Sequence, residues 1–401
     1  MGTRVITGSR VAVVGGSIAG CAAAIALSRA GCDVTVYERS LGDLADRGFG
    51  IGLPLGLHEE LVSAGYLDAS TPCVRYRERS WLVPGSPAGE PGTVRELARQ
   101  PFPIACENWA VLWRARRARV PPGSYQAGTS VTAVQPGAAG VVLTTAHGRR
   151  QFDLVLGADG YRSLVRRHVS PGSEPVPAGY AIWRGSYPDR LLPGSAIRML
   201  ERDAGFFYFE NGHAGGYLIP DPADARGRLV NCAMYLVPPR RLDDLALIPP
   251  GRVDGALMDV FNRAVARHLP RSWAEVMSMV GPQRMSVQPV YDTTADRYAR
   301  DSLALVGDAG AVARPHTASG ATTALQDALA LERCSQQFGT WEEALTRYDR
   351  ERCAAGNAQT ELGRRLGTAL VLRTPDWSAM RPEDFSAWWS AVLTGQKLLY
   401  E

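Results

Sequence analysis

Residues 11–38 read VAVVGGSIAGCAAAIALSRAGCDVTVYE, and the order of residue types within them decides the fold. The apolar run 11–14 predicts a buried strand. Gly15-Gly16-Ser17-Ile18-Ala19-Gly20 follows as a turn, and an alanine-rich helix is expected over about residues 21–30. Gly31 stops that helix, and residues 33–37 predict a second strand ending at Glu38. Strand, glycine turn, helix and acid in this register make a βαβ dinucleotide fingerprint. Gly15 permits the tight turn and Gly20 lets helix and strand pack closely. The amides at the helix start, among Gly16, Ser17 and Ala19, can hold a pyrophosphate. Glu38, with Arg39 beside it, stands where a carboxylate binds ribose hydroxyls. Ser17 replaces the middle glycine of the pattern; it is small, and its hydroxyl can itself donate to a phosphate. Residues 11–28 carry no charge and approach the length of a membrane span, but the glycine pair splits the run and no basic flank orients it.

The whole chain has 401 residues, 45% of them hydrophobic, and a net charge of +4. Its basic residues are arginines, with Lys397 the one lysine. Arginine scattered among balancing acids does not make a nucleic-acid patch, so no nucleic-acid partner is expected. The run 114–119, RARRAR, falls on a predicted helix and reads as a solvated face. Seven cysteines, an odd number without a C-x-x-C pair, argue against a disulfide scaffold or zinc site. Six dispersed histidines give no metal cluster. Residues 1–10 show no signal peptide, so a soluble cytoplasmic protein without a membrane span is expected.

Beyond Arg39 the glycines of Arg47-Gly48-Phe49-Gly50-Ile51-Gly52 suggest backbone running close to something flat or bulky. A helix is expected over 55–64, a hairpin over 74–83 and 93–97 with its turn at 84–92, and an amphipathic helix over 108–120. Runs 129–134, 140–145 and 150–156 read as a small meander. The last leads straight into GADGYRSLVR, 157–166. From about residue 172 the texture becomes an aromatic-rich antiparallel sheet, with β-like runs at 180–187, 196–201, 206–210, 216–219 and 229–237. Helices over 253–268 and 272–280, and a strand over 284–291, come next. A buried strand at 302–306 then opens LVGDAGAVARPHTASGATTALQDALAL, 305–331, whose helix is expected from Thr317 to Gln337. One or two helices over 341–372 precede a tail with Trp377, Trp388 and Trp389 that should pack as a helix or an oligomer contact.

GGSIAG with Glu38, GADGYRSLVR and LVGDAG…RPH together resemble the class A, single-component FAD-dependent aromatic hydroxylases of the p-hydroxybenzoate hydroxylase fold. Trp183-Arg184-Gly185, Pro289-Val290-Tyr291-Asp292, Arg314-Pro315-His316 and Trp109 ahead of Leu112 are most similar to the 2,6-dihydroxypyridine 3-monooxygenase-like enzymes. The resemblance implies an α/β fold: a Rossmann-type FAD-binding domain with an inserted antiparallel-sheet substrate domain and C-terminal helices. It divides the chain into FAD-binding segments at 1–73, 101–171 and 293–339, substrate-domain segments at 74–100 and 172–292, and a helical region at 340–401. It further implies that NADH or NADPH reduces the FAD, that O2 adds to give a flavin C4a-hydroperoxide, and that an electron-rich aromatic or hydroxy-N-heterocycle takes the hydroxyl, as in secondary metabolism.

Residue by residue, the resemblance puts Gly48, Gly50, Ile51, Trp109, Asp159, Asp308, Pro315, Gly320 and Ala321 with the fingerprint residues around FAD. Asp308 would accept from ribityl hydroxyls, and the helix after it would point a positive dipole end at the flavin. Asp159 would support both FAD and the nicotinamide donor. Trp109 stands where the family usually has an arginine, Gly310 where a bulky residue or histidine is commoner, and Leu53-Pro54 where a glutamine is often seen. Removing a phenol-type proton requires a base or relay. His316 beside the flavin and His213, Tyr208 and Tyr217 on the substrate sheet are the candidates, with Arg184 as a substrate-anion or flavin contact. His213 lies in a turn signal, Asn211-Gly212-His213, that predicts a surface position. The alternatives are an epoxidase or other oxygenase of a larger natural product and, in another class, a FAD-binding redox sensor without oxygenase turnover. A homodimer is compatible with either class.

Overall fold

The computed structural model describes residues 4–44, 49–85, 93–238 and 247–400. Three of the runs that end in glycine motifs lie side by side in one six-stranded sheet. Arg10–Val14 is parallel both to Asp33–Glu38 and to Leu154–Gly157, and the last is parallel to Leu303–Leu305. Their register aligns Val14 with Gly157 and Gly157 with Leu305, so all three turns leave the sheet at one edge. That edge is where open α/β sheets gather ligands. The helix Ile18–Arg29 is buried around most of its circumference because it is covered by the sheet and by the helix Gly320–Gln337.

The second sheet has eight strands in the order Ser286–Asp292, Val176–Pro188, Asp224–Leu236, Gly212–Asp221, Ala204–Phe209, Val74–Pro84, Val94–Asn108 and Gly50–Pro54. Its pairs are antiparallel except Ala204–Phe209 with Val74–Pro84. Gly50–Pro54 therefore leaves the fingerprint region to form the edge of the second sheet, pairing Gly50 with Asn108 and Ile51 with Glu107. Asn108 then caps the helix Trp109–Arg117 by accepting from the amide of Ala110 at 2.9 Å. The two sheets are thus tied together through one strand pair and one capped helix.

Several expectations need correction. Residues 196–201 lie not in a strand but in the helix Gly194–Arg202, whose Ala196 and Leu200 are buried one turn apart. A short apolar run fits either period, and here the four-residue spacing won. The run 150–156 is two strands: Gly148–Phe152 completes the three-stranded meander and Leu154–Gly157 enters the six-stranded sheet. Between them Asp153 accepts from the amide of Arg10 at 2.8 Å. Arg116, expected on a solvated face, is fully buried. The helix after the Gly-Asp motif begins at Gly320, because Pro315–Thr317 forms a separate 3-10 turn. The hairpin turn over 86–92 and the loop positions Arg47 and Gly48 lie outside the described residues.

The tail forms the helix Pro382–Leu393, packed within its own chain: Phe385 and Trp389 lie 4.9 and 4.8 Å, ring to ring, from Trp81 of the second sheet. Gly310 stands where bulk was expected because the ring of Tyr298 fills the space a side chain would need, 2.5 Å from a Cβ built there. No helix among the described residues is long and apolar enough to cross a membrane. The seven cysteines are free.

Candidate active site

A cavity of about 840 Å³ runs from the turns at the edge of the first sheet to the inner face of the second. Gly15, Ser17, Ala19, Glu38, Arg39, Gly50, Ile51, Trp109, Asp159, Asp308, Pro315, Gly320 and Ala321 line it, as do Arg184, His213, Tyr217 and His316. Gly48 lies outside the described residues. Gly16 and Gly20 support the wall without lining it. The carbonyl of Gly16 accepts from Trp113 and Tyr125, and the Tyr125 ring fills its side-chain space. A Cβ on Gly20 would stand 1.8 Å from the carbonyl oxygen of Gly15.

The end near the fingerprint fits a dinucleotide with a flavin. Gly15 has φ +104°, and a Cβ there would meet the carbonyl oxygen of Ala158 at 2.3 Å. The helix starting at Ile18 has no side-chain cap, so its first amides are open toward the cavity for a pyrophosphate. Glu38 accepts from the amides of Gly16 and Ser40 at 2.9 Å each, which sets its carboxylate at the strand end. Asp308 is reached by solvent through the cavity yet enclosed by protein, and burial pushes its carboxyl up to about 6. A hydroxyl-rich chain would supply hydrogen bonds to it. Gly320 opens the second helix aimed at the cavity, and a Cβ there would meet nothing within 4 Å. Ala318 just before it has φ +52°, a strained value for alanine and one that clusters at functional sites. Asp159 lines the cavity and also organises the turn that carries it. Its oxygens accept from the hydroxyl of Ser163 at 2.5 Å and the amide of Leu164 at 2.6 Å.

The substrate end is built by strand register. One cross-strand row places Phe206 opposite Gly215, Gly215 opposite Ala233, and Ala233 opposite Arg184. The next places Tyr208 opposite His213, and His213 opposite Tyr235. On the other side Tyr217 faces Asn231. Alternate residues share a face, so Gly215 and Ala233 form a low floor between two polar rows. Gly50 crosses above Tyr217 and Asn231: its amide donates to Asn231 Oδ1 at 2.8 Å, and a Cβ would meet the Tyr217 ring at 2.7 Å. The bulky object that its glycine accommodates is therefore protein. Arg184 donates to Gln288 at 2.9 Å and lies 4.1 Å from the Phe49 ring centroid.

His213 is buried, against the surface position that its turn signal predicted. Its Nε2 is 3.1 Å from Nδ1 of His316, whose Nε2 is 2.7 Å from the hydroxyl of Tyr180. The His213 ring stacks between Tyr235 and Tyr208, at 4.4 and 5.2 Å. Burial lowers the His213 imidazole from 6.5 to about 3. Burial, then His213 and Arg314, hold His316 well below 6.5. Both rings are neutral when folded. Unfolding restores the ordinary histidine value, so the unfolded chain binds more protons below pH 6.5. This contribution is complete above 6.5 and is lost as pH falls toward 3, about 2 kcal/mol by pH 5 for His213 alone. In urea unfolding, the His213→Gln variant should therefore lose about 2 kcal/mol less than the parent between about pH 7.5 and 5. Parallel pH dependence in the two proteins would contradict a neutral, buried His213.

Tyr180, Asn231 and Arg79 also belong to the cavity or its hydrogen bonds, and no motif announced them. Tyr180 and Arg314 meet beside the ion pair of Arg314 with buried Asp292 at 2.8 Å, which Arg364 also joins at 2.7 Å. Periodicity marks the strands that carry these residues, but not the cross-strand register that brings them together.

A model of the FAD binding domain matches residues 111–362, and one of the NAD(P)-binding Rossmann-like domain matches residues 13–42. The chain is 30% identical over 367 residues to 3-amino-4-hydroxybenzoate 2-monooxygenase of Streptomyces cremeus, spanning 85% of this chain and 82% of that protein. It is 26% identical over 377 residues to 2,6-dihydroxypyridine 3-monooxygenase of Paenarthrobacter nicotinovorans, spanning 91% and 92%. In fold it is similar to 2,6-dihydroxypyridine-3-hydroxylase from Arthrobacter nicotinovorans, with TM-score 0.81 at 22% identity over 93% of this chain and 96% of that one.

Proposed function

The chain belongs to the FAD binding domain family, and from that premise we propose that it is a monooxygenase using FAD, NAD(P)H and O2 to hydroxylate an electron-rich aromatic or hydroxy-N-heterocyclic small molecule. The observation that carries this reading is the neutral His213–His316 pair beside a low floor, in a cavity continuous with the dinucleotide turns. Bound FAD supplies reducing equivalents and activated oxygen. Gly15, Ser17, Ala19, Glu38, Arg39 and Asp308 would hold it, with the helix start at Gly320 toward its ring. Three relatives support the substrate class by name: they act on an amino-hydroxybenzoate, a dihydroxypyridine and a hydroxynicotinate.

The protein's own part is to seat the ring and take its proton. Ala233 leaves room for a flat ring beside the Phe206 ring that covers Gly215, with Tyr217 on one side of it and His316, bonded to His213, on the other. The ring hydroxyl displaces the Tyr180 hydroxyl from Nε2 of His316 and hands its proton to that nitrogen as the ring becomes electron-rich. The anion left behind attracts the imidazolium and offsets the burial that depresses its pKa. The Nδ1–Nε2 bond then shares the Nδ1 proton of the imidazolium with His213, which spreads the charge over the pair. Aromatic walls keep water away from the reacting ring. With its seven cysteines free, we place the enzyme in the cytoplasm.

Anaerobic reduction of the flavoprotein with NADH or NADPH, followed by air and a panel of hydroxypyridines and aminophenols, tests the reading. Hydroxylated product for a substantial share of the reductant consumed is the expected outcome. Hydrogen peroxide alone with every compound would favour a redox sensor instead.

A further inference from the structure

The cavity continues past the histidine pair. Beyond Phe206 it passes Ile104 and Phe102 to reach Trp389 and Tyr400, and Arg79 lies in its wall there. Arg79 is 6% exposed. Its guanidinium lies 4.9 Å from the Trp81 ring centroid, 5.3 Å from Trp389, 5.4 Å from Tyr400 and 5.7 Å from Phe102. Gln100, directly opposite on the neighbouring strand, accepts from its Nε at 3.1 Å and its Nη2 at 2.6 Å. The indole of Trp81 donates to the same oxygen at 2.8 Å.

A glutamate at position 100 would accept from the same three donors and cancel the charge. The amide fixes the guanidinium and leaves its charge standing. Among the described residues Arg79 forms no ion pair, and its Nη1 donates no hydrogen bond. A buried charge without a counter-ion is costly, and the aromatic faces offset only part of that cost. An anion arriving through the cavity would supply the rest. Arg184 carries a second charge bonded to an amide, but it lies at the opposite end of the floor, against Phe49 and beside the strand Gly50–Pro54.

We propose that Arg79 is the anion-recognition residue of the substrate site, and that the substrate is an aromatic acid. Its ring lies over Ala233 against the Phe206 ring, and its carboxylate meets Nη1 of Arg79 in the chamber closed by Trp389 and Tyr400. Strand order separates the His213 strand from the Arg79 strand by two spacings, about 10 Å. An extended arginine and a one- or two-ring acid cover that span together. The inference rests on reading the cavity as a hydroxylation site, and it narrows the substrate to compounds with a negative charge remote from the hydroxylated carbon.

The test is binding to the flavoprotein, read by flavin absorbance without turnover. The probes are 4-hydroxybenzoate, salicylate and indole-3-carboxylate, each beside its uncharged amide. At least one acid should bind about tenfold or more tightly than its amide, the size of a charge-assisted hydrogen bond. Arg79→Met should close that gap, and Arg79→Lys should restore part of it. Gln100→Glu should also abolish the preference, by neutralising Arg79 in place, and it decides the matter if Arg79→Met does not fold. Equal binding of every acid and amide, or a gap that survives Gln100→Glu, overturns the proposal. Lack of hydroxylated product would count against the monooxygenase reading alone, because acid preference is measured without chemistry.

Discussion

Replacing His316 by alanine should leave flavin bound and lower hydroxylated product per NAD(P)H consumed by about a hundredfold. The expectation follows from position. His316 lies on the cavity wall with both ring nitrogens engaged, one by His213 and the other by Tyr180. Alanine removes the acceptor for the ring proton and cuts the hydrogen-bonded path in its middle. The flavin contacts proposed at Gly15, Glu38 and Asp308 stay untouched. Reductant would still be consumed, and its electrons would appear as hydrogen peroxide. Quantifying product, peroxide and NAD(P)H in one reaction separates these fates. Coupling equal to that of the parent enzyme would remove His316 from the chemistry. Losing His316 also leaves the hydroxyl of Tyr180 and Nε2 of His213 without their partner, so a stability loss of about 1–3 kcal/mol should accompany the change. His316→Gln, which keeps a polar group in place, should recover stability without recovering coupling.

The second large effect lies at the other end of the cavity. Gly20→Val should yield a folded but essentially flavin-free protein. A Cβ at this position stands 1.8 Å from the carbonyl oxygen of Gly15, which is backbone and cannot swing aside. The helix must back away from the turn, and its open amides move with it. Flavin retained after purification, read as the ratio of flavin to protein absorbance, should fall below about a tenth of the parent value; a shift of an ångström in oriented donors costs on the order of a hundredfold. Gly56→Ala, on an exposed turn of the helix Leu55–Ser63 where a Cβ meets nothing within 4 Å, is the control and should retain full flavin. Full flavin in Gly20→Val would mean that the helix start does not hold the cofactor.

These two positions differ in how well the sequence announces them. Gly20 is legible because its constraint is local: turn, helix and strand fall within residues 11–38, and their spacing carries the geometry. The three motif strands were legible for the same reason, and they align at Val14, Gly157 and Leu305. His213 was misplaced because Asn-Gly is a turn signal whatever lies around it; the turn is real, with Asn211 at φ +59°, but tertiary packing buries the histidine just after it. Residues 196–201 were misread because a few apolar residues fit two periods. Arg116 was misread because the three other arginines of its run share its polarity, while one helix face turns inward. Arg79 and Tyr180 had no signal at all: Arg79 is set by Gln100 and Phe102 across a strand pair and by Trp389 and Tyr400 from the far end of the chain, and Tyr180 by His316.

The low floor of Gly215 and Ala233 has an evolutionary consequence. It lies in the middle of a hydrogen-bonded sheet whose backbone is held on both sides, so a change of side-chain volume there need not disturb the frame. A methyl or two added at position 233 would shorten the space available to a ring, as a stop shortens a drawer. Gly215 is less free, because a Cβ there would meet the ring of Phe206 at 2.7 Å. Selection could therefore retune which molecules enter by drift at one or two floor positions, while the dinucleotide turns remain fixed by their backbone geometry. Descendants of such a chain would diverge in diet before they diverged in cofactor.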